Sequence, residues 1–325
     1  MPKLIAGFLL SLSLSVQMPI AQAQGAALLT QPLTIIVGYP AGVDSDRVSR
    51  IIGDKLKDEL GVPVIVENKL GAGGRISAQV AKKATATDNV LLIGNPAIMV
   101  IAPLVMSDIG YDPIKDFNIV SMVSNYRFAV AVSTGSNVKR MADLVYQLGY
   151  YPAKYNIGVQ ATGSLPHFFV MMMEEKIGAP VQVIGYKGSA PLLNDLAGGH
   201  LNVAMDTFNS LLPMHQAGKV KIIAVSGETP EPSLPDVPTF KQSNLSLTGA
   251  GWNAFFAPAS MPQDKVKVLS KAINKVMKDA TVQQTIQGMM LDPVVADLTQ
   301  SQEIFASFKK QWEPVIKQSG FRAEP

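Results

Sequence analysis

Ser164 and His167 lie three residues apart, a spacing that can bring a hydroxyl and an imidazole onto one helical turn and would suit nucleophile–base chemistry. The flanking Gln160-Ala161-Thr162-Gly163-Ser164 lacks the Gly-x-Ser-x-Gly elbow that exposes a serine nucleophile. The other two histidines, His200 and His215, form no pair with metal-ligand spacing. There is no cysteine, so thiolate nucleophiles, thiolate metal sites and disulfides are all excluded. Gly71-Ala-Gly-Gly74 lacks the third glycine of a dinucleotide fingerprint, and Lys187-Gly188-Ser189 runs in the wrong order for a phosphate loop. No metal or cofactor is expected. What remains is binding chemistry, with a hydrolase as the rival reading. Thr162 and Ser164 are the best hydroxyl donors, and Asp206 could receive a hydrogen from a ligand.

Those residues need elements to hold them. Thr34–Gly38 reads as a buried strand running into Tyr39-Pro40-Ala41-Gly42, and Val48, Ile52, Leu56 and Leu60 then recur at helical spacing up to Gly61. Strands over 64–68 and 90–94 enclose a second helix from Ile76 to about Ala84. The rhythm repeats with strands over 128–132, 156–159, 181–184, 201–205 and 220–225, and helices over 141–148, 168–176 and 191–197. A strand over 252–256 and helices over 264–278 and 301–317 complete the chain. Short apolar strands alternating with helices predict parallel sheets covered on both faces. In such sheets ligands bind beyond the carboxyl ends of the strands, where this chain places its glycines and hydroxyls. Met171–Met173 reads as helix core, and Trp252 as packing at a lobe junction.

Composition narrows the class. With 47% hydrophobic and 16% charged residues the chain is a folded globular protein, long enough for two lobes. The net charge is +3, and no dense Lys/Arg cluster offers a footprint for nucleic acid. Lys3, the apolar stretch Leu4–Ile20 and Ala21-Gln22-Ala23 follow the order of a secretory signal peptide over residues 1–23, cleaved near Ala23/Gln24. Ser11, Ser13, Ser15 and Gln17 interrupt that stretch, unlike a spanning helix of about 20 apolar residues. Removing Lys3 lowers the charge from +3 to +2. A periplasmic protein, held together without disulfides, is expected.

Six segments, in order along the mature chain, resemble the periplasmic solute receptors of tripartite tricarboxylate transporters, the Bug receptors. They are Leu33 to Asp46, Gly61 to Gly74 (Gly-Val-Pro-Val-Ile-Val-Glu-Asn-Lys-Leu-Gly-Ala-Gly-Gly), Asn156 to His167, Tyr186 to Asp206, Gly218 to Pro238, and Trp252 with Phe256-Ala-Pro258; the ending from Trp312 to Gly320 also fits. The resemblance implies a two-lobed α/β Venus flytrap of the periplasmic-binding-protein kind. Residues 24–127 and 252–325 would form lobe one and residues 128–251 an inserted lobe two. It implies capture of a small organic acid in the cleft and delivery to membrane permease subunits, by a monomer without nucleic-acid partners. A sensor that signals to a partner instead is not separable from sequence. The family holds carboxylates through backbone amides, hydroxyls and waters, which helix N-termini supply. That places Tyr39, Pro40, Ala41, Gly42 and Asp46 on one side of the cleft. Gln160, Ala161, Thr162, Gly163, Ser164, His167, Lys187, Gly188 and Asp206 fall on the other. The chain departs from the family pattern at Ala41, Val43, Ile157, Gln160, Ala161 and Thr162. Asp44 adds a carboxylate beside the first loop, which disfavours a bare anion there. An amino acid, an amide-bearing acid or a monocarboxylate is therefore expected in place of a simple tricarboxylate.

Overall fold

The computed structural model describes residues 29–151 and 155–323. The signal-peptide segment, 1–23, lies outside the described residues. The first run is β1 (Leu33–Val37), α1 (Asp44–Leu60), β2 (Val64–Asn68), α2 (Arg75–Ala81) and β3 (Val90–Gly94). A π-helical turn over Ala97–Ile101 leads into α3 (Ala102–Val105). Then come β4 (Phe117–Ser133), α4 (Met141–Tyr150), β5 (Ile157–Val159), α5 (Leu165–Ile177), β6 (Val183–Gly185), α6 (Ser189–Ala197), β7 (Val203–Thr207), α7 (Phe208–Gln216) and β8 (Val220–Val225). The chain returns through β9 (Ala250–Pro258), α8 (Gln263–Met277), α9 (Ala280–Gln287), β10 (Asp292–Pro293) and α10 (Leu298–Gln318).

Strands lie in the order β2-β1-β3-β9-β4-β7-β5-β6. The expected parallel pairing holds for β2-β1-β3 and for β7-β5-β6. It fails in the middle, where β9 is antiparallel to both β3 and β4, and β4 is antiparallel to β7 and β8. The reason is β4, a 17-residue strand that serves both halves. Its residues up to Arg127 pair with β9, and those from Phe128 onward pair with β7. The strand expected over 128–132 is only the second part of it. Asn118, Ser121, Ser124 and Asn125 make the first part look like a loop, yet Ser121 and Ser124 are fully buried. Asn253 Nδ2 donates to Ser124 Oγ at 3.0 Å, which satisfies a hydroxyl that burial would otherwise penalise. The helices α3, α7 and α9 are further elements beyond those expected from the sequence.

Each half has its own apolar layer. Val48, Ile52 and Leu56 of α1 and Leu269 and Ile273 of α8 cover Ile35, Val37, Leu91 and Ile93. Leu192, Leu196, Leu211 and Leu212 cover Ala129, Ala131 and Ala204. A third layer is continuous across both halves, from Leu92 and Met122 to Val130 and Met205, and α10 seals it with Phe305, Phe308 and Trp312. Trp252 packs edge-on against Phe305 and Phe308, each at 5.6 Å, so its expected packing role is what the structure shows. Of the methionine run, Met173 is fully buried and its two neighbours partly so. This is the two-lobed α/β binding-protein architecture. Among the described residues no helix is long and apolar enough to cross a membrane.

Candidate ligand site

A cavity of about 270 Å³ opens between the loops that follow β1, β3, β5 and β7. Tyr39, Val43, Asp44 and Ser45 line it from the turn into α1, Asn95 and Ala97 from the end of β3, and Gln160, Ser164, Leu165 and Pro166 from the turn into α5. Tyr126, Phe128 and Asn253 of the crossing strands form its floor, and Thr207 its far edge. A larger cleft of about 590 Å³ lies along 99–116 and Lys309, Glu313 and Lys317. None of the residues expected from sequence lines it, so size alone does not pick the site.

The first loop is built around Asp46. Its carboxylate accepts from the Gly42 amide (2.8 Å), from Asn68 Nδ2 (2.8 Å) and from Arg50 Nε and Nη2 (3.0 and 2.9 Å). Burial works to raise this carboxyl, but the Arg50, Gly42 and Asn68 bonds outweigh it and hold it below the ordinary range. Asp46 therefore shapes the turn and does not line the cavity. Pro40, Ala41 and Gly42 are exposed and sit outside it too, and the Gly42 amide expected to face a ligand is already paired. Tyr39 does line it. Its hydroxyl donates to Gly73 O (3.3 Å) and accepts from Asn95 Nδ2 (3.0 Å), and burial raises the phenol while the Asn95 bond lowers it.

In the second loop Ser164 caps α5, its Oγ accepting from the His167 amide at 3.4 Å, and it faces the cavity. Gln160 faces the cavity as well, while its carbonyl accepts from Gly188 N (2.8 Å) and its Oε1 from Ser189 Oγ (3.3 Å). Thr162 is turned away against the backbone of Gly185, and Ala161 closes the turn by accepting from Ser164 N (3.2 Å). Gly163 has φ +77°, a left-handed conformation suited to glycine, and its amide donates to His167 Nδ1 at 2.9 Å. That bond occupies the imidazole nitrogen a base would use, and burial lowers the His167 pKa. Ser164 and His167 are thus a cap and its support, with no side-chain bond between them. Lys187 is exposed and outside the cavity, and Gly188 serves only the backbone bond to Gln160.

Asp206 is fully buried one residue before the cavity-lining Thr207, and strand alternation aims it at the helix layer. Its Oδ1 accepts from Thr207 N (2.7 Å), while Oδ2 has no partner. Burial pushes its pKa up to about 6, against the pull of the Ser189 hydroxyl and the Thr207 amide. Ser189 Oγ makes its close contact with Gln160, so it acts on Asp206 without satisfying it. Across the cavity mouth Asn209 Nδ2 donates to Asp44 Oδ2 at 2.6 Å, joining the first turns of α1 and α7. Burial raises the Asp44 carboxyl, and the Asn209 bond and the Arg47 charge offset part of that. Asn95 directly follows β3, at a strand end where ligand-binding groups are expected. Tyr126, Phe128 and Asn253 lie inside strands, where no loop signal exists.

Residues 48–321 match the family described as tripartite tricarboxylate transporter family receptor. BugT of Bordetella pertussis is 26% identical over 292 residues, covering 89% of this chain and 90% of that protein. A structure described as a periplasmic transporter is 28% identical, superposes with a TM-score of 0.75, and covers 90% of this chain and 98% of its own. An R. palustris protein solved with adipate is 26% identical with a TM-score of 0.77, again covering 90% and 98%.

Proposed function

The chain belongs to the tripartite tricarboxylate transporter receptor family, and from that premise we propose that it captures a small carboxylate in the periplasm and presents it to membrane permease subunits. The family is one of solute-binding receptors, not enzymes. One observation carries the reading. The cavity is walled by two separate sets of strand-end loops, so a ligand seated in it touches Tyr39 and Ser45 on one side and Gln160, Ser164 and Thr207 on the other. A ligand that contacts both sides favours the closed arrangement by its differential fit. The adipate bound by the R. palustris relative supports an acid as the cargo. In this reading residues 24–127 and 252–325 form one lobe and 128–251 the other, with Arg127 and Phe128 at the exchange point in β4. Export and action as a monomer complete the proposal.

The test is isothermal titration of the mature protein, from Gln24 onward, against di- and tricarboxylates, amino acids and aromatic acids. Saturable one-to-one binding with the ligand recovered unchanged is expected. Ligand at a hundredfold excess over Kd should add about 2.7 kcal/mol of stability. Conversion of any bound acid to a product would replace the receptor reading with an enzymatic one.

A further inference from the structure

The cavity wall is unbalanced in charge. Of the residues lining it, none is Lys, Arg or His, and one, Asp44, is acidic. Asp44 occupies the first turn of α1, so the positive end of that helix is already answered by the chain's own carboxylate. On the opposite side α5 begins Ser164-Leu165-Pro166, where Pro166 has no amide and the His167 amide is held by Ser164 Oγ. The Leu165 amide, with the Ser164 hydroxyl, is left as a seat for an anion on this side. Beyond Thr207 stands the buried Asp206, a second acidic group behind the same wall. A second or third ligand carboxylate would meet Asp44, the apolar faces of Tyr126, Phe128, Ile101 and Leu165, or neutral polar groups such as Ser45 and Asn95, with no cation in the wall to neutralise it.

The mouth beside Asp44 calls for a donor instead. An ionised carboxylate only accepts hydrogen bonds, and Asn209 Oδ1, in the amide that holds Asp44, is buried without a partner. The Asp44 charge is felt by the cavity floor, where it adds to burial in raising the Tyr126 phenol. The volume, about 270 Å³, is just below the roughly 300–1,000 Å³ of sites for drug-sized molecules, so the ligand is small.

We infer that the ligand is a zwitterion, one carboxylate and one protonated amine on a mainly apolar body, and that Asp44 selects the amine. This rests on the receptor reading above. The carboxylate sits at the start of α5, the apolar body lies against Tyr126 and Phe128, and the amine faces Asp44.

Titration calorimetry on the mature protein tests it with matched probes: L-phenylalanine and L-leucine, their amine-free counterparts 3-phenylpropanoate and 4-methylpentanoate, and the diacids adipate and malate. At least one amino acid should bind tenfold or more tighter than its amine-free counterpart and than either diacid. In Asp44→Asn that preference should fall to about one. Asn209→Ala, which keeps the Asp44 carboxylate and removes only its partner, should retain the preference; this second variant reads the charge apart from the contact between the loops. Diacids or amine-free acids binding as tightly as the amino acids would overturn the inference and leave the receptor reading standing. A preference that survives Asp44→Asn would overturn it equally. Binding by none of the six would remove the receptor reading for small acids, and this inference with it.

Discussion

Asp206 and Asp46 are both buried, and their environments push them in opposite directions. Asp206 titrates near 6 in the fold against an ordinary 3.8, so above 3.8 the unfolded chain releases a proton that the fold retains. Stability on its account is highest below 3.8, falls as pH rises toward 6, and stays low above it. Asp206→Asn should therefore stabilise the protein at neutral pH, by at most about 3 kcal/mol at 1.36 kcal/mol per unit, and the gain should vanish by pH 4. Urea denaturation of both proteins across that range checks it; an equal gain at both ends would mean the carboxylate is not strained by burial. Asp46 has the reverse sign. Its folded pKa lies below 3.8, so its contribution is present above 3.8 and is lost as pH falls through the folded value. Asp46→Asn leaves the Gly42 and Arg50 donors poorly matched and should cost about 1–3 kcal/mol at neutral pH, with the difference from the parent shrinking in acid. A constant difference down to pH 3 would assign the loss to shape alone.

At the scale of elements, β4 matters most, and Arg127 marks its midpoint. The guanidinium bonds both oxygens of Asp292 in β10 (2.9 and 3.3 Å), reaches Glu231 (3.4 Å) and donates to Thr229 O (2.8 Å). It thus ties the loop after β8 to the segment before α10. Asp292 is 43% exposed, so the pair is worth less than a buried one. Arg127→Ala should cost on the order of 2 kcal/mol, between the exposed and buried cases. Arg127→Lys should recover little, because a point charge cannot serve Asp292 and Thr229 together. Full recovery by lysine in a denaturant titration would refute the clamp. Elements of this kind are where the sequence is hardest to read. Helices such as α1 announce themselves, with Val48, Ile52, Leu56 and Leu60 on one face and Gly61 at φ +70° as the stop. Strands β2, β3 and β8 were equally plain as apolar runs. The first half of β4 was not, since its serines and asparagines are satisfied only by partners such as Asn253, distant along the chain. The site divides in the same way. Tyr39, Gln160 and Ser164 follow from the strand-end rule, whereas Asp46, Thr162 and His167 have the right types in the right loops but do not line the cavity: Asp46 and His167 are bonded into the loops themselves, and Thr162 is exposed beside Gly185. Type and spacing do not record which way a side chain turns. The step from Asp206 to Thr207 shows how a single residue of strand alternation moves a group off the cavity wall.

The whole molecule adds a constraint that neither a residue nor an element supplies alone. The loop over 160–164 belongs to the chain between β4 and β9, but it is backed by the segment that follows α10. Phe321 packs edge-on against His167 (5.7 Å) and Phe168 (6.1 Å), and a side chain at Gly163 would run into its ring. Ala323 N donates to Val105 O (3.0 Å), which anchors the same segment at α3. The segment after α10 thereby holds one wall of the cavity against the body that carries the other wall. Phe321→Ala should cost about 1–2 kcal/mol of stability, below the roughly 3–5 for a fully buried phenylalanine, since Phe321 is only partly buried. Its larger effect should be on binding. With the wall released, the ligand must order the loop itself, and affinity should fall by up to about tenfold, or 1.4 kcal/mol. Hydrogen exchange should then quicken at 160–167 and stay unchanged in β1 and β3. Gly163→Ala should show the same pattern by forcing Phe321 away, and combining it with Phe321→Ala should relieve the clash while leaving the cost of a left-handed alanine. If affinity and exchange at 160–167 are untouched by either change, the segment is only a cover, and the wall is held by the Gly163–His167 and Gln160–Gly188 bonds alone.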